Sequence, residues 1–434
     1  MSVEYVPGYA PYPTIERALL PTLAYIALLL LIFVGLDAFS PPPAASPSGG
    51  LPSTASGDAL RQIAFLGTAG LVALGAFQRL GLGMLRALPV SMILLLVWCL
   101  ASALWTPESA VAFRRAGLQV VIVVSVLLSV ETIGPKRAFD IWRILLGIVL
   151  AVNFLSIPLI ESARHGAGEV DAALVGNWRG LYGHKNIAGA VCAMTAILFL
   201  FTKTGWRNWI GVAVALAAIV FLVMTRSKSS MGFLGVALLA GWLYHLSWRD
   251  GLSRAIAVVS TGLFVLALGT LIVLDPDILT RYLADPTQFT GRAAIWAAEL
   301  AYIRDHPLLG AGFGTFADSG GLSPLHGYMS SNWVEAVSHG HNGYLQILVT
   351  IGGIGFVLAM TALVIRPLQR FWPLNFKGGN FDAGTFKPML LAIFTFMVLH
   401  NFMESDFLEG GGAWTALLLV IAALNANARH RSPA

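Results

Sequence analysis

The residues best suited to chemistry are histidines and arginines in short polar segments of a very apolar chain. The segment SHGHNGY contains His339 and His341, and the segment GRAAIW places Arg292 four residues before Trp296. Histidine exchanges a proton near neutral pH, as a general base must, and a guanidinium can bind two phosphate oxygens at once. These residue types predict proton abstraction and phosphate binding. The alternatives are a histidine that only forms hydrogen bonds and an arginine that packs on its neighbouring tryptophan.

A second cationic segment, TRSKSS, joins two apolar runs with almost no loop between them. Arg226 and Lys228 are therefore expected at the boundary of the membrane, beside the first N–H groups of a helix. Those N–H groups and the helix dipole favour anions, so the segment predicts a phosphate site. Snorkelling of two long cationic side chains at helix ends is the alternative.

Two further polar segments are candidates for sugar binding. In GHKN, His184 and Lys185 are candidate contacts for a sugar or a phosphate, and an ordinary polar loop is the alternative. In HNFMESDFLEGG, Glu404, Asp406 and Glu409 could accept hydrogen bonds from sugar hydroxyls. Solvated surface charge is the more common role of such carboxylates.

Several motifs of other enzyme classes are missing from the sequence. It contains no Walker A motif, HExxH motif, CxxC pair, serine nucleophile elbow or EF-hand loop. Cys99 and Cys192 lie in apolar runs, so neither a disulfide framework nor a thiolate metal site is expected. The predicted chemistry uses cations and one base, with no metal and no cofactor.

The composition indicates what kind of structure holds these segments. Of 434 residues, 57% are hydrophobic and 11% are charged, and the mean hydropathy is +0.75. A soluble domain carries roughly 25% charged residues, so a water-soluble enzyme, a disordered chain and a coiled coil are excluded. The sequence predicts a polytopic integral membrane protein. Its fold class is expected to be all-α, because backbone groups in hydrocarbon must bond within their own segment.

About twelve runs are long and apolar enough to be transmembrane helices. They cover residues 18–38, 61–79, 87–105, 111–131, 140–160, 186–203, 207–225, 229–247, 254–274, 342–365, 386–403 and 411–427. The segment 275–341 is predicted to be a periplasmic loop domain with short helices. It separates nine spans within 1–274 from three spans within 342–434.

The positions of lysine and arginine predict the orientation in the membrane. With both termini in the cytoplasm, sixteen of the 27 Lys and Arg residues lie on the inner side. The polar segments described above then face the periplasm of a bacterial inner membrane, where the chemistry is expected. The net charge of +5 follows mostly from this bias, so nucleic acid is not an expected partner.

Three of the segments, taken in order, resemble the signature of the O-antigen ligase and polysaccharide polymerase superfamily. His341 and Asn342 are followed by Gly352 and Gly355 as in that signature. GRAAIW is similar to the family's GRxxxW element in the long periplasmic loop, and TRSKSS resembles its short turn of hydroxyls and cations. From the residues alone, helical spacing places His341 and the two glycines on one face of the tenth span.

The resemblance implies a GT-C-type membrane glycosyltransferase that uses glycans linked to undecaprenyl diphosphate, without nucleotide sugar or metal, and inverts the anomeric carbon. Carried onto this sequence, it implies that His341 deprotonates the acceptor hydroxyl and Arg292 holds the donor diphosphate, helped by Lys228 or Arg226. The candidate contacts for acceptor or glycan are His184, Lys185, Asn342, His339 and Glu404. The implied partners are the lipid-linked oligosaccharide, membrane lipids and chain-length regulator proteins.

The cationic turn departs from the family's pattern. Many ligases have Ser-Arg where this chain has Ser227 and Lys228, and lysine neutralises phosphate as a point charge without a bidentate fork. With GHKN, this lysine makes the chain look closer to succinoglycan-type exopolysaccharide polymerases. That branch implies polymerisation of repeat units. The alternatives are an O-antigen ligase acting on lipid A core and, from a different class, a transporter or flippase for polyprenyl-linked glycans.

Overall fold

The computed structural model describes ten stretches of the chain. They are residues 19–40, 59–166, 174–201, 208–247, 251–252, 259, 292–317, 323–328, 340–371 and 386–429. Within them the secondary structure is helical, without strands, apart from one isolated bridge between Arg164 and Trp178. The predicted all-α fold class is confirmed for this part of the chain.

The α-helices are numbered here in chain order through the described residues. They are α1 (Leu19–Phe33), α2 (Ala59–Leu80), α3 (Val90–Ala101), α4 (Ser109–Ile133), α5 (Pro135–Leu159), α6 (Lys185–Leu200), α7 (Asn208–Thr225), α8 (Lys228–Leu246), α9 (Arg292–Asp305), α10 (Gly343–Met360), α11 (Arg366–Phe371), α12 (Phe386–His400) and α13 (Gly412–Arg429). Helices occupy eleven of the twelve predicted runs. The remaining run, 254–274, lies almost wholly outside the described residues.

Five helical segments among the described residues are long and apolar enough to cross a membrane. They are Ala59–Ala87, Ser109–Ile133, Pro135–Leu159, Lys228–Leu246 and Gly343–Phe371. The count of twelve spans stays a prediction. Large apolar side chains also cover the outside of the bundle, since Leu94, Leu155 and Val357 are each more than half exposed. In a membrane protein such side chains face lipid.

The packing of the helices brings distant parts of the sequence together. Helix α8 packs along α12, α6 packs along α7, and α4 lies against both α2 and α13. Trp142 and Trp414 are fully buried in the large core that these helices share. Helix α9, from the predicted loop domain, packs on α10. This contact carries the GRAAIW segment to the bundle.

Helix α10 is broken in the middle, at Gly352. This residue has φ +68° and ψ −174°, which are not helical values. A Cβ atom built on it would lie 2.1 Å from the carbonyl oxygen of Leu308, so only glycine allows the chain after α9 to approach this closely. The prediction of one continuous helix face through His341, Gly352 and Gly355 is therefore wrong.

The segment after α9 supplies hydrogen bonds to the broken part of α10. The N–H of Ala311 donates to the carbonyl of Val349 at 2.8 Å, and the N–H of Gly353 donates to the carbonyl of Pro307 at 2.8 Å. Polar backbone groups that a broken helix would otherwise leave unpaired in an apolar core are thus satisfied. The same bonds fix α9 relative to α10.

Candidate active site

His341 lies in the turn before α10. Asn342 is the N-cap of that helix, because its Oδ1 accepts hydrogen bonds from the N–H groups of Tyr344 at 3.0 Å and Leu345 at 3.1 Å. His341 itself has φ +51°, in the left-handed region that non-glycine residues rarely adopt. Such a conformation costs about 1–3 kcal/mol and persists only where the surroundings fix it.

The loop that follows α12 provides those surroundings. The carbonyl of Asn401 accepts a hydrogen bond from the N–H of Gly343 at 2.8 Å. The N–H of Asn342 donates to Ser405 Oγ at 3.0 Å, and its Nδ2 donates to the carbonyl of Phe402 at 3.2 Å. The polar groups of Asn342, a predicted glycan contact, are thus used to cap α10 and to hold this loop.

Glu404, in the same loop, joins three predicted elements of the site. Its Oε2 lies 3.2 Å from Nδ1 of His341, and its Oε1 accepts hydrogen bonds from Nη2 of Arg292 at 2.8 Å and from Nδ2 of Asn186 at 2.7 Å. Only 7% of Glu404 is exposed. The interpretation of Glu404 as solvated surface charge is therefore wrong, whereas Glu409 is exposed as that interpretation expects.

The protonation state of Glu404 decides which nitrogen of His341 is available. Burial alone would raise the pKa of Glu404, but the hydrogen bond with His341 and the charge of Arg292 outweigh it and lower the pKa to about 2. An ionised carboxylate only accepts hydrogen bonds, so Nδ1 of His341 must carry the proton. In a neutral imidazole the lone pair is then on Nε2. The geometry suits a general base that acts through Nε2.

Arg292 is the first residue of α9, and the predicted helix in GRAAIW is present. Its Nη1 donates to the carbonyl of Met403 and its Nη2 to Glu404, and the side chain is 12% exposed. These bonds use two of the five N–H groups of a guanidinium, which leaves three for an anion. Trp296, one turn later, donates from Nε1 to the carbonyl of Gly340 at 2.8 Å. Both side chains therefore hold the turn that contains His341.

The cationic turn precedes α8. Arg226 has φ +53°, and Arg226 and Lys228 are exposed, while Thr225 and Ser227 are buried. Exposed and buried residues thus alternate along this turn, so that the two cations lie at the surface and the two hydroxyls lie inside the protein. Neither cation forms a salt bridge with an acidic side chain of the described residues. Their charges are thus available to an anion at this surface.

Helix α6 links the cationic turn to the Glu404 cluster. Asn186, in its first turn, donates to Glu404, and a Cβ atom built on Gly189, three residues later, would lie 2.7 Å from the Cβ of Ser227. Residues three apart on a helix are about 5–6 Å apart. Arg226 and Lys228 therefore belong to the same region of the molecule as His341.

The other predicted contacts lie at the start of α6. His184 is the N-cap, and its Nδ1 accepts a hydrogen bond from the N–H of Asn186 at 3.2 Å. The N–H of Lys185 donates to Nε2 of His165 at 3.1 Å. His339 lies outside the described residues. Asn186 lies in the predicted contact segment HKN (184–186), but its own side chain was not named as a candidate, although a polar side chain in the first turn of an apolar helix was a usable signal.

The chain is similar to a known protein family and to two known proteins. Residues 212–360 match the family model described as O-antigen ligase, and that range includes Arg226, Lys228, Arg292 and His341. A Rickettsia felis protein named as a polysaccharide ligase is 25% identical over 378 residues, which cover 80% of this chain and 86% of the relative. A second one, from Rickettsia conorii, is 24% identical over 234 residues, covering 53% and 55% of the two chains.

Proposed function

Because this chain belongs to the O-antigen ligase and polysaccharide polymerase superfamily, we propose that it is a glycosyltransferase of the bacterial inner membrane. It transfers a glycan from undecaprenyl diphosphate to a sugar hydroxyl at the periplasmic face. The proposal rests on the contacts of Glu404. This one buried carboxylate holds His341, the proposed base, and Arg292, the proposed phosphate-binding cation, side by side.

The proposed reaction uses Nε2 of His341 and the guanidinium of Arg292. Nε2 of His341 takes the proton of the acceptor hydroxyl, and the acceptor oxygen attacks the anomeric carbon of the donor sugar. The bond between that carbon and the diphosphate oxygen breaks, and the diphosphate leaves with the electron pair. Attack from the opposite side inverts the anomeric carbon. The remaining N–H groups of Arg292 stabilise the charge that develops on the diphosphate, where preorganised donors have their largest effect.

Arg226 and Lys228 complete the donor site in this proposal. They are exposed at the start of a helix, so their charges and the first N–H groups of α8 favour the same anion. The prenyl chain then lies along the apolar outer surface of the bundle while the diphosphate reaches the cations. None of these steps uses a metal or a nucleotide sugar.

The acceptor separates two candidate activities. The Lys228 turn and the GHKN segment favour polymerisation of exopolysaccharide repeat units. The description of the matching family model and the names of both Rickettsia relatives favour a ligase, which attaches the glycan to lipid A core. Deletion of the gene distinguishes them: single lipid-linked repeats accumulate if the protein is a polymerase, and unattached polymers accumulate if it is a ligase.

Glycan transfer in reconstituted vesicles tests the base. We expect His341→Ala to lower the rate by about 10²–10⁴-fold, the usual contribution of a general base. His326→Ala is the matched control, since His326 is an exposed histidine of the same predicted loop domain and should retain full activity. Wild-type chain lengths with His341→Ala would reject the role of His341 as the base. Movement of the lipid-linked glycan across the membrane without any transfer by the wild-type protein would favour a flippase, which forms no bond.

The same assay tests Arg292. We expect Arg292→Lys to lower the rate by about tenfold to a hundredfold, because one ammonium group cannot bind Met403, Glu404 and a phosphate with the guanidinium geometry. Arg304→Lys, at an exposed position of the same helix, is the control and should leave the rate unchanged. Equal rates for the two variants would mean that Arg292 serves only to hold the loop.

A further inference from the structure

A second hydrogen-bonded chain begins at the cationic turn and does not involve His341. Ser227 Oγ donates to Ser230 Oγ at 3.0 Å, and Ser230 Oγ lies 3.1 Å from Nε2 of His400. Nδ1 of His400 lies 2.6 Å from Oδ2 of Asp406. Ser227, Ser230 and His400 are each at most 1% exposed. The chain thus runs from the start of α8, across the end of α12, to the loop that carries Glu404.

Each member of this chain has a consistent hydrogen-bonding role. With Asp406 as a carboxylate, Nδ1 of His400 carries the proton, and in the neutral imidazole Nε2 offers a lone pair. The hydroxyl of Ser230 donates to that lone pair and accepts from the hydroxyl of Ser227. Every donor in the chain then has an acceptor. A fully satisfied buried polar network makes an arrangement rigid, whereas a half-satisfied one weakens it.

The order of serine, histidine and aspartate is that of a nucleophilic triad, but burial excludes that role here. Ser230 has no exposed surface, and α6 packs directly on it, since a Cβ atom built on Gly189 would lie 3.1 Å from Ser230 Oγ. A substrate carbon cannot reach this hydroxyl. The chain must therefore act through the elements that it connects.

Those elements carry the two halves of the proposed site. Ser227 and Ser230 anchor the turn that exposes Arg226 and Lys228. On the other side, the N–H of Asp406 donates to Oδ1 of Asn401 at 3.0 Å, within the loop that also presents Glu404. The hydrogen bond between Ser230 and His400 joins α8 to α12.

We propose that Ser230 and His400 are positioning residues for the donor diphosphate. They fix the position of the exposed cations Arg226 and Lys228 relative to the cluster of His341, Glu404 and Arg292. The diphosphate bound by the turn then lies where its anomeric carbon can meet the acceptor. This inference rests on the proposed function and extends it to residues that touch no substrate.

Ser230→Ala tests the inference, and Ser129→Ala is the matched control. Ser129 is also a buried serine, on α4, and its hydroxyl has no hydrogen-bond partner among the described residues. Ser230→Ala should raise the KM for the lipid-linked donor about tenfold and weaken the binding of undecaprenyl diphosphate by a similar factor. The value of kcat at saturating donor should change by less than about threefold, because the bonds of the His341 cluster remain. Ser129→Ala should leave all three quantities unchanged.

His400→Asn provides a second variant if Ser230→Ala does not fold. The Nδ2 atom of asparagine can replace Nδ1 of histidine as the donor to Asp406, but the shorter side chain does not reach Ser230. Its donor KM should therefore rise while its kcat is retained. A purely structural role would lower the amount of folded protein and leave KM and kcat alike unchanged per folded molecule.

The outcomes for the inference and for the proposed function are separable. Donor KM values equal to wild type in both variants, or a loss of kcat with unchanged KM, would overturn the positioning role. Failure of the wild-type protein to bind undecaprenyl diphosphate, or to transfer the glycan, would instead overturn the proposed function.

Discussion

Glu404 holds His341 and Arg292 through its two carboxyl oxygens, so each functional side chain is fixed by a partner that is itself buried and paired. The contact of Glu404 with His341 sets the tautomer of that histidine, and its hydrogen bond with Arg292 uses one N–H group of the guanidinium. The left-handed backbone of His341 adds a second constraint, because its strain is offset only while the loop at 401–411 stays in place. Base and cation are therefore preorganised together.

A second glutamate near this turn is buried, with no hydrogen-bond partner among the described residues. Glu299, on α9, has no exposed surface, and neither of its carboxyl oxygens forms a hydrogen bond with the described residues. Its carboxyl group lies against Gly340, since a Cβ atom built there would be 1.9 Å from Oε1. Burial raises the pKa of Glu299 to about 8. The protonated, neutral form of the group therefore predominates at pH 7.

The raised pKa of Glu299 predicts how stability depends on pH. Between the ordinary pKa of a carboxyl group and about pH 8, the unfolded chain loses this proton and the folded protein keeps it. Stability must therefore fall as pH rises through that window. Glu299→Gln cannot titrate, so its advantage in Tm over wild type should grow by about 5 °C between roughly pH 5 and pH 8.

Thermal unfolding of the purified proteins at both pH values measures this effect. Glu108→Gln, at a position outside the cluster, controls for the general effect of replacing a glutamate. If the difference in Tm between Glu299→Gln and wild type were the same at both pH values, Glu299 would have to be ionised throughout or to have a hydrogen-bonding partner.

At the scale of elements, the break in α10 makes a specific prediction. Gly352→Ala would place a methyl group 2.1 Å from the carbonyl oxygen of Leu308 and force φ +68° on a residue with a Cβ atom. The segment after α9 would have to move away from α10, and Arg292 would no longer be held at its present position relative to His341. We expect a loss of about 3 kcal/mol or more in stability and little remaining transfer.

The control for this substitution is Gly117→Ala. Gly117 lies within α4, and a Cβ atom there would meet nothing within 4 Å, so alanine should be neutral or slightly stabilising. Thermal unfolding and transfer activity of both variants give the comparison. Similar Tm values for Gly352→Ala and Gly117→Ala would show that the loop does not depend on the break.

The helices were predictable from the sequence because each one is a local apolar run. The break at Gly352 was not, since it depends on the approach of Leu308 from a segment more than forty residues away. The same limit applies to Glu404. An acidic residue in a loop is usually solvated, and its burial here follows from Asn186, Arg292 and His341 meeting on it.

The spacing within GRAAIW, by contrast, is local, and the predicted helix places Arg292 and Trp296 on the same face, one turn apart. The sequence thus predicted His341 and Arg292 as site residues and Glu404 as a candidate glycan contact, but not that Glu404 joins the other two. The hydrogen bond between Ser230 and His400 was not predicted either, because the segments TRSKSS and HNFMESDFLEGG are far apart in the sequence and only helix packing brings them together.

At the scale of the whole molecule, the charges fall at two ends of the bundle. Helix α4 has 25 residues and is therefore about 37 Å long. Near its start, Arg115 donates to the carbonyl of Gly314 in the predicted outer loop. Near its end, Glu131 pairs with Arg429, and Arg79 donates to the carbonyl of Thr132. Arg79 and Arg429 are cations that the positive-inside rule assigns to the cytoplasm.

This separation predicts which positions a membrane-impermeant maleimide can reach in spheroplasts. His326→Cys, an exposed position in the predicted periplasmic loop, should react from outside, whereas the exposed Lys136→Cys should react only after permeabilisation. Background labelling should be low, because Cys99 and Cys192 are both buried. Protection of position 326 together with external labelling of position 136 would reverse the orientation. It would place the His341 cluster in the cytoplasm, where a periplasmic acceptor cannot reach it, so the proposed reaction depends on this result.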